Sequence, residues 1–390
     1  MIKNEPDIIV SYKDKKEGFN GWLIIDNLDY KLAAGGIRVQ KGLTQEHLKL
    51  MAQNMTKKMK ICGLPISGAK SGIDYDPESP NKEEAISRFV KAIKPFLETR
   101  YSMGSDLNTS ADELNEIVNK EGLLTIKHAI KNVQNFDSKS FLDRCNVLEN
   151  NAVGNWKLGK IRAGYQVAMS ALKVLEHLNI KKENASVAVQ GFGVLARAAI
   201  IGLIQHGVNI SAVSDIDKSI IAKEGNALPI EEWLNHPGTK LPDVNSTSEY
   251  DVVDCKEILN QKVDIMLLAA IENSITVENA DHIDVKAVVP GANLAVSEEA
   301  EKILYKRDIV VLPSFVAGAG GPMSMNGLYG PKDCPTPQEV LDYIKMKSYE
   351  VVEMILLKSK TEDITPSEAA ERIVDETNIM EADVPYTVSL

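Results

Sequence analysis

The chain has 390 residues, 44% of them hydrophobic and 25% charged, which suits a soluble globular protein of two domains with separate cores. A net charge of −11 argues against a general nucleic-acid or anionic-membrane binder, because both reward a basic face. Cys62, Cys145, Cys255 and Cys334 show no CxxC spacing, so neither a metal site nor a disulfide framework is expected. The opening MIKNEPDIIV lacks the apolar stretch of a signal peptide, and no apolar run approaches the roughly 18 residues of a membrane span, so the expectation is a cytoplasmic protein.

In chain order, DIIVSY and GWLIID read as short β pieces, followed by helices over about 43–62, 82–98 and 110–121. In the first helix Leu48, Met51, Met55, Met59 and Cys62 form one stripe at 100° per residue, and Lys58 falls in its middle. An unpaired ammonium on an apolar face is expensive to bury, so Lys58 calls for an anionic partner from protein or substrate. Just past that helix, GLPISGAKSG sets Lys70 among small residues. Two lysines converging on one pocket repel, and each then loses its proton more easily, as proton-transfer chemistry requires. Further on, YSMGSDLNTSADEL reads as a Gly/Ser/Asn turn before a helix, and spacing does not choose Asp106 over Asp112, since acids there often cap or close the turn. Residues 122–160 carry no readable pattern, and the domain boundary is placed near their end.

From Ser186 the pattern changes. SVAVQ, NISAVSD, VDIMLLAA, VKAVVPG and DIVVLPS are apolar runs separated by helical or turn segments, as in a parallel sheet covered on both faces. SVAVQ leads into GFGVLARAA, where Gly191, Gly193 and Ala196 form a GxGxxA turn between a strand and a helix. Gly191 permits the tight turn, Gly193 lets a pyrophosphate approach the helix N-terminus, and Ala196 allows close helix–strand packing. Asp215 closes the next strand about 20 residues on, where an acid accepts from ribose hydroxyls and repels a 2′-phosphate, favouring NAD over NADP. Pro337 and Pro366 read as starts of C-terminal helices.

These segments together, in this order, resemble the glutamate/leucine/phenylalanine/valine dehydrogenases. LAAGGIRV through GAKSGIDYDP is similar to that family's substrate region, GSDLNTSADEL to its catalytic-aspartate turn and VAVQGFGVLARAA to its cofactor turn. AAIENSITVENADHI, VVPGANLAVSEEAEKIL and VVLPSFVAGAGG are similar to its later segments. The resemblance implies an α/β protein of two domains with a cleft between them. Residues 1–150, joined by C-terminal helices over 336–390, would form the substrate and oligomerisation domain, and 151–335 a Rossmann-like NAD-binding domain. It implies a homo-oligomer acting on an L-amino acid or its 2-oxo acid, by oxidative deamination or the reverse. Lys70 and Asp106 would be catalytic, and Lys58 would hold the α-carboxylate. Ala34, Gly35, Gly36 and Met325 would line the substrate. Gly191, Gly193, Val194, Ala196, Asp215, Ala270, Asn273 and Asn293 would bind the dinucleotide.

Some positions depart from the family pattern. Ser67 and Ser71 replace glycines around the lysine, Ala163 a threonine and Gly318 an asparagine. Ala34 stands where glutamate-specific members look to have a lysine, and Met325 where they carry a hydroxyl. The substrate expected on that basis is a neutral, apolar or bulky amino acid, with Ser324 and Asn326 leaving room for a polar group. The alternative is a relative that binds nucleotide or amino acid without turnover.

Overall fold

Two glycine-rich runs that do not look like strands, AAGGIRV and SGAKSGI, are the centre of the first sheet. The computed structural model describes residues 5–224, 226–236 and 238–388. It divides into two units, residues 1–145 with 329–334 and 377–390, and residues 146–328 with 335–376.

The first unit contains β1 (Ile8–Lys13), β2 (Asn20–Ile25), β3 (Ala33–Val39), α1 (Gln45–Ile61), β4 (Ser67–Ile73), α2 (Lys82–Thr99), β5 (Tyr101–Ser105), α3 (Ala111–Lys120), α4 (His128–Val133) and the start of α5 (Ser138–Val147). Its sheet runs in the order β1-β2-β4-β3-β5, with β3 parallel to both β4 and β5. One face packs Ala33, Ile37, Ala69, Ile73 and Met103 against the apolar sides of α2 and α3. The other face takes α1, and there glycine is a steric requirement. A Cβ on Gly68 would fall 2.2 Å from both the Ala52 carbonyl oxygen and the Thr56 nitrogen. The small residues around Lys70 thus seat a helix.

The same close approach changes the helix's buried face. It consists of Leu48, Ala52, Thr56 and Met59, with Met51 and Met55 only partly buried, because small side chains fit over a glycine strand. Lys58 lies at the edge of that face and is partly buried, rather than in its middle.

The second unit contains β6 (Asn151–Val153), β7 (Trp156–Lys157), α6 (Leu158–His177), β8 (Ser186–Gln190), α7 (Val194–Ile204), β9 (Asn209–Ser214), β10 (Lys218–Ala222), α8 (Ile230–Trp233), β11 (Tyr250–Asp254), β12 (Val263–Leu268), β13 (Val285–Pro290), α9 (Glu298–Tyr305), β14 (Val310–Val311), α10 (Ser314–Ala317), α11 (Gly320–Tyr329), α12 (Pro337–Glu362) and α13 (Pro366–Glu376). The large sheet has the order β11-β10-β9-β8-β12-β13-β14. The five apolar runs read from the sequence are parallel strands, β8, β9, β12, β13 and β14, and β10 and β11 add an antiparallel edge. The cause is local. Only Asp215–Asp217 separate β9 from β10, too few for a crossover, and the Asp215 carboxylate accepts from the Asp217 and Lys218 amides to close the turn.

Helices α6 and α7 lie close enough that a Cβ on Gly164 would fall 2.3 Å from the Leu195 carbonyl oxygen. Pro337 and Pro366 are the first residues of their helices, and Thr336 with Glu339 forms a capping box before α12. Because α12 packs along α6, residues 335–376 cluster with the second unit, whereas the sequence reading joined 336–390 to the first. Only the last stretch belongs with the first unit, where Gln134 accepts from the Tyr386 amide and donates to the carbonyls of Tyr329 and Tyr386. Among the described residues no helix is long and apolar enough to cross a membrane.

Candidate active site

Strand alternation sets out the first unit's polar face. The β3–β5 register pairs Gly36 with Gly104 and Ile37 with Ser105, which brings Arg38 level with Asp106 just past the strand end. Lys70 projects from β4 on the α1 side, flanked along its own strand by Gly68 and Gly72. Its Nζ lies 2.8 Å from Asp106 Oδ2, and Arg38 Nε donates to that same oxygen at 2.9 Å. The turn after β5 holds the carboxylate in place. Thr109 Oγ1 accepts from the Asp106 amide at 2.9 Å, and Ser110 caps α3. Asp112, which spacing could not separate from Asp106, is exposed in the first turn of α3.

Electrostatics follow from burial and crowding. Burial pulls the Lys70 ammonium below the usual lysine range and Arg38 adds to this, against the opposing pull of Asp106. Burial works to raise Asp106, but Lys70 and Arg38 outweigh it and hold the carboxyl below its ordinary value. Lys58, on α1, is pushed down to about 8, first by burial and then by the charge of Lys70, with Asp106 opposing. Lys58, Lys70 and Asp106 therefore act on one another, as two lysines and an acid in one small site should.

Other substrate-site expectations fall in different places. Gly36 shares this face, and a Cβ there would sit 3.0 Å from Asp106 Cβ. Gly35 alternates to the opposite side, where a Cβ would strike the Ala69 carbonyl oxygen at 1.6 Å, and its own carbonyl accepts from the Tyr101 hydroxyl. Ser67 and Ser71 also point away from Lys70, bonded to Asn27 and to Tyr101. Ala34 is buried on the Gly36 side.

Arg38 and Lys127 are the groups that sequence reasoning missed. Lys127 enters from outside β5, and its Nζ lies 3.6 Å from where a Cβ on Gly104 would be.

In the second unit Met325 is buried on α11. Of the polar atoms beside it, the buried Asn326 Oδ1 has no hydrogen-bond partner among the described residues, whereas the others are engaged. The Ser324 hydroxyl accepts from Arg162 at 2.8 Å and donates to the Gly321 carbonyl, and Asn326 donates to the Tyr343 hydroxyl. Ala163 lies against Gly320, where a Cβ would come within 2.9 Å of the Ala163 Cα.

The glycine turn joins β8 to α7 at the point where strand order reverses, with β9 on one side of β8 and β12 on the other. Such switch points hold dinucleotides at the carboxyl ends of parallel strands. Gly191 has φ +104°, and a Cβ there would meet the Ala269 carbonyl oxygen at 3.0 Å and the Ala270 Cβ at 3.1 Å. Around Gly193, the N-cap of α7, a Cβ would meet nothing within 4 Å, and the cap has no side-chain acceptor for the helix amides. An open approach to orphan amides suits a pyrophosphate. Ala196 is buried and Val194 exposed. Asn273, at φ 52°, donates its amide to the Leu294 carbonyl, which brings the AIENS and GANL loops together, so Asn293 lies beside it in the chain next to that contact. Asp215 ends β9 as expected, but its carboxylate is already engaged: Oδ1 accepts two amides of the turn and Oδ2 accepts from the Leu241 amide at 2.7 Å. One lone pair of Oδ2 remains for a ribose hydroxyl.

Comparison with known proteins agrees with this arrangement. Residues 6–121 match "Glu/Leu/Phe/Val dehydrogenase, dimerisation domain" and residues 157–328 match "Glutamate/Leucine/Phenylalanine/Valine dehydrogenase". The glutamate dehydrogenase of Thermotoga maritima is 31% identical over 78% of this chain and 71% of its own length. A hetero-hexameric glutamate dehydrogenase from Thermus thermophilus superposes with a TM-score of 0.74 at 20% identity, over 95% of this chain and 89% of that one. An L-tryptophan dehydrogenase from Nostoc punctiforme gives 0.64 at 18% identity, over 95% and 96%. The two α/β units and their sites define a nicotinamide-dinucleotide oxidoreductase of the amino-acid dehydrogenase class. The chain belongs to the glutamate/leucine/phenylalanine/valine dehydrogenase family.

Proposed function

We propose that this chain, as a homo-oligomer, catalyses NAD-linked oxidative deamination of an L-amino acid to the 2-oxo acid and ammonia, and the reverse. The observation that carries the reading is the buried Lys70–Asp106 pair at 2.8 Å with Lys58 in its field. In this reading residues 1–150 supply the substrate site and 151–335 the dinucleotide site.

Lys58 takes the substrate α-carboxylate. A nicotinamide dinucleotide, when bound at the β8–α7 glycine turn, would supply the hydride acceptor for substrate Cα. Neutral Lys70 then takes a proton from the water that adds to the resulting iminium carbon. Asp106 accepts and returns a proton at the amino nitrogen, so that nitrogen leaves as ammonia while the carbonyl forms. Arg38 keeps Asp106 ionised and aimed. Gly191, Gly193, Val194, Ala196, Ala270, Asn273 and Asn293 hold the dinucleotide. The charge of Asp215 at the end of β9 favours NAD by repelling a 2′-phosphate.

Ala34 and the buried Met325 favour a neutral side chain on that amino acid. The test of the function is to follow reduced nicotinamide while screening L-amino acids, and its oxidation with 2-oxo acids and ammonia. Turnover with at least one amino acid is the expected result. Dinucleotide binding with no turnover in either direction would leave a binding protein instead.

A further inference from the structure

We propose that Arg197 is a positioning residue for the dinucleotide, aiming the Gly193 amide at the pyrophosphate and holding Asp215 in place for the adenosine ribose. This rests on the dinucleotide-linked reading above. It adds a residue that acts through its neighbours on both ends of that site.

Arg197 lies one residue past the GxGxxA turn, in α7, and is only 7% exposed. Its Nη2 has no hydrogen-bond partner among the described residues. Burial pulls its guanidinium below the usual arginine range, and no carboxylate opposes that pull. Such a cation is costly to bury, and an apolar side chain of similar volume would fill the space without that cost. Packing therefore does not account for an arginine here. Its two hydrogen bonds do.

The first bond reaches the glycine turn. Arg197 Nε donates to the Phe192 carbonyl at 3.0 Å, and the guanidinium lies over the buried Phe192 ring at 4.4 Å. The peptide from Phe192 to Gly193 is planar and trans, so its N–H points opposite to its C=O. With the carbonyl drawn to Arg197, the Gly193 amide is turned the other way, and a Cβ on Gly193 would meet nothing within 4 Å. Glycines on both sides of Phe192 leave that peptide weakly determined by its own backbone preferences. Arg197 supplies the missing constraint.

The second bond reaches the ribose end. Arg197 Nη1 donates to the His236 carbonyl at 2.5 Å. A few residues on, the chain is laced to the β9–β10 turn. Lys240 pairs with Asp217 at 2.6 Å, the Leu241 amide donates to Asp215 Oδ2 at 2.7 Å, and Asp243 pairs with Lys218 at 3.5 Å. One guanidinium thus ties the glycine turn to the segment that sets the Asp215 carboxylate. Its planar fork can hold two carbonyls in fixed directions, which an ammonium cannot do. A site held in its binding form before the ligand arrives avoids the cost of ordering it afterwards.

The experiment measures NAD and NADP binding by calorimetry, and hydrogen exchange over residues 236–243, in wild type, Arg197→Met and Arg197→Lys, each checked by thermal melting. Arg197→Met is expected to melt near wild type, because the two lost hydrogen bonds are offset by removal of a buried unpaired cation. Its NAD affinity should fall about tenfold, and its preference for NAD over NADP should narrow. Residues 236–243 should exchange about tenfold faster, and Arg197→Lys should recover part of each loss. In turnover the loss should lie in KM for NAD more than in kcat. Unchanged NAD affinity or unchanged exchange over 236–243 in Arg197→Met overturns the proposal. So does a variant that melts much lower and exchanges faster throughout the chain, since Arg197 would then be structural. A wild type that binds NAD without turnover, with weaker binding in Arg197→Met, supports the role of Arg197 while the dehydrogenase reading fails. A wild type that binds neither dinucleotide overturns both.

Discussion

Lys70 Nζ and Asp106 Oδ2 lie 2.8 Å apart on neighbouring parts of one sheet face, and burial and the shared field set both charges. The lysine must give up its proton to act as a base, and burial makes this easier while Asp106 resists it. Rising pH removes that proton, so kcat for oxidative deamination climbs toward alkaline pH. Lys58 works in the other sense. Its ammonium is present below about 8 and lost above it, and with it goes the grip on the α-carboxylate. The kcat/KM profile should therefore be bell-shaped, with KM for the amino acid rising on the alkaline side. A flat KM through that range would remove Lys58 from carboxylate binding.

Arg38 depresses Lys70 by like charge and steadies Asp106 by a direct bond. In Arg38→Met, Lys70 should hold its proton to higher pH and Asp106 should ionise less readily. The alkaline rise of kcat is expected to move to higher pH, together with a loss at the plateau. An unshifted profile with lower kcat would mean that Arg38 acts through packing alone.

Two glycines should behave in opposite ways. Gly68→Ala drives a methyl into the α1 backbone at 2.2 Å and should destabilise the fold by about 3 kcal/mol or more, seen as a lower midpoint in denaturant. At Gly193 a Cβ meets nothing, so Gly193→Val should fold normally yet weaken dinucleotide binding, because it fills the approach to the α7 amides. Unchanged dinucleotide affinity would place the pyrophosphate elsewhere.

Asp215 has two tasks to separate. Asp215→Ser removes acceptors for the Asp217, Lys218 and Leu241 amides and should cost about 1–3 kcal/mol of stability. It should also narrow the preference for NAD over NADP in kcat/KM. Equal or better use of NADP by wild type would confine Asp215 to its structural task.

Much of this was legible, and for a physical reason. Apolar runs such as SVAVQ and VDIMLLAA report buried parallel strands directly, and the proline starts of α12 and α13 were read at Pro337 and Pro366. The first sheet's centre was not readable, because strands packed against a helix backbone carry glycine and alanine, which have low β propensity. Had AAGGIRV been taken as a strand, alternation alone would have put Gly36 and Arg38 on one face and Gly35 on the other. Lys127 was beyond reach, since its position depends on a segment tied to the edge of β5 by the Met103 amide's bond to the Ile126 carbonyl and to α3 by the Ile126 amide's bond to Asn115 Oδ1. The hairpin of β9 and β10 was foreshadowed in SDIDKS, where an acid precedes a turn too short for a crossover.

The central claim is that nitrogen leaves the substrate through the Lys70–Asp106 pair, and the most direct measurement is ammonia release against reduced nicotinamide in wild type, Lys70→Ala and Asp106→Asn. Wild type should release one ammonia for each nicotinamide reduced. Each variant should lose about 10²–10⁴-fold in kcat while binding the dinucleotide as before. Reduced nicotinamide without ammonia, or either variant with near-normal kcat, would contradict the account.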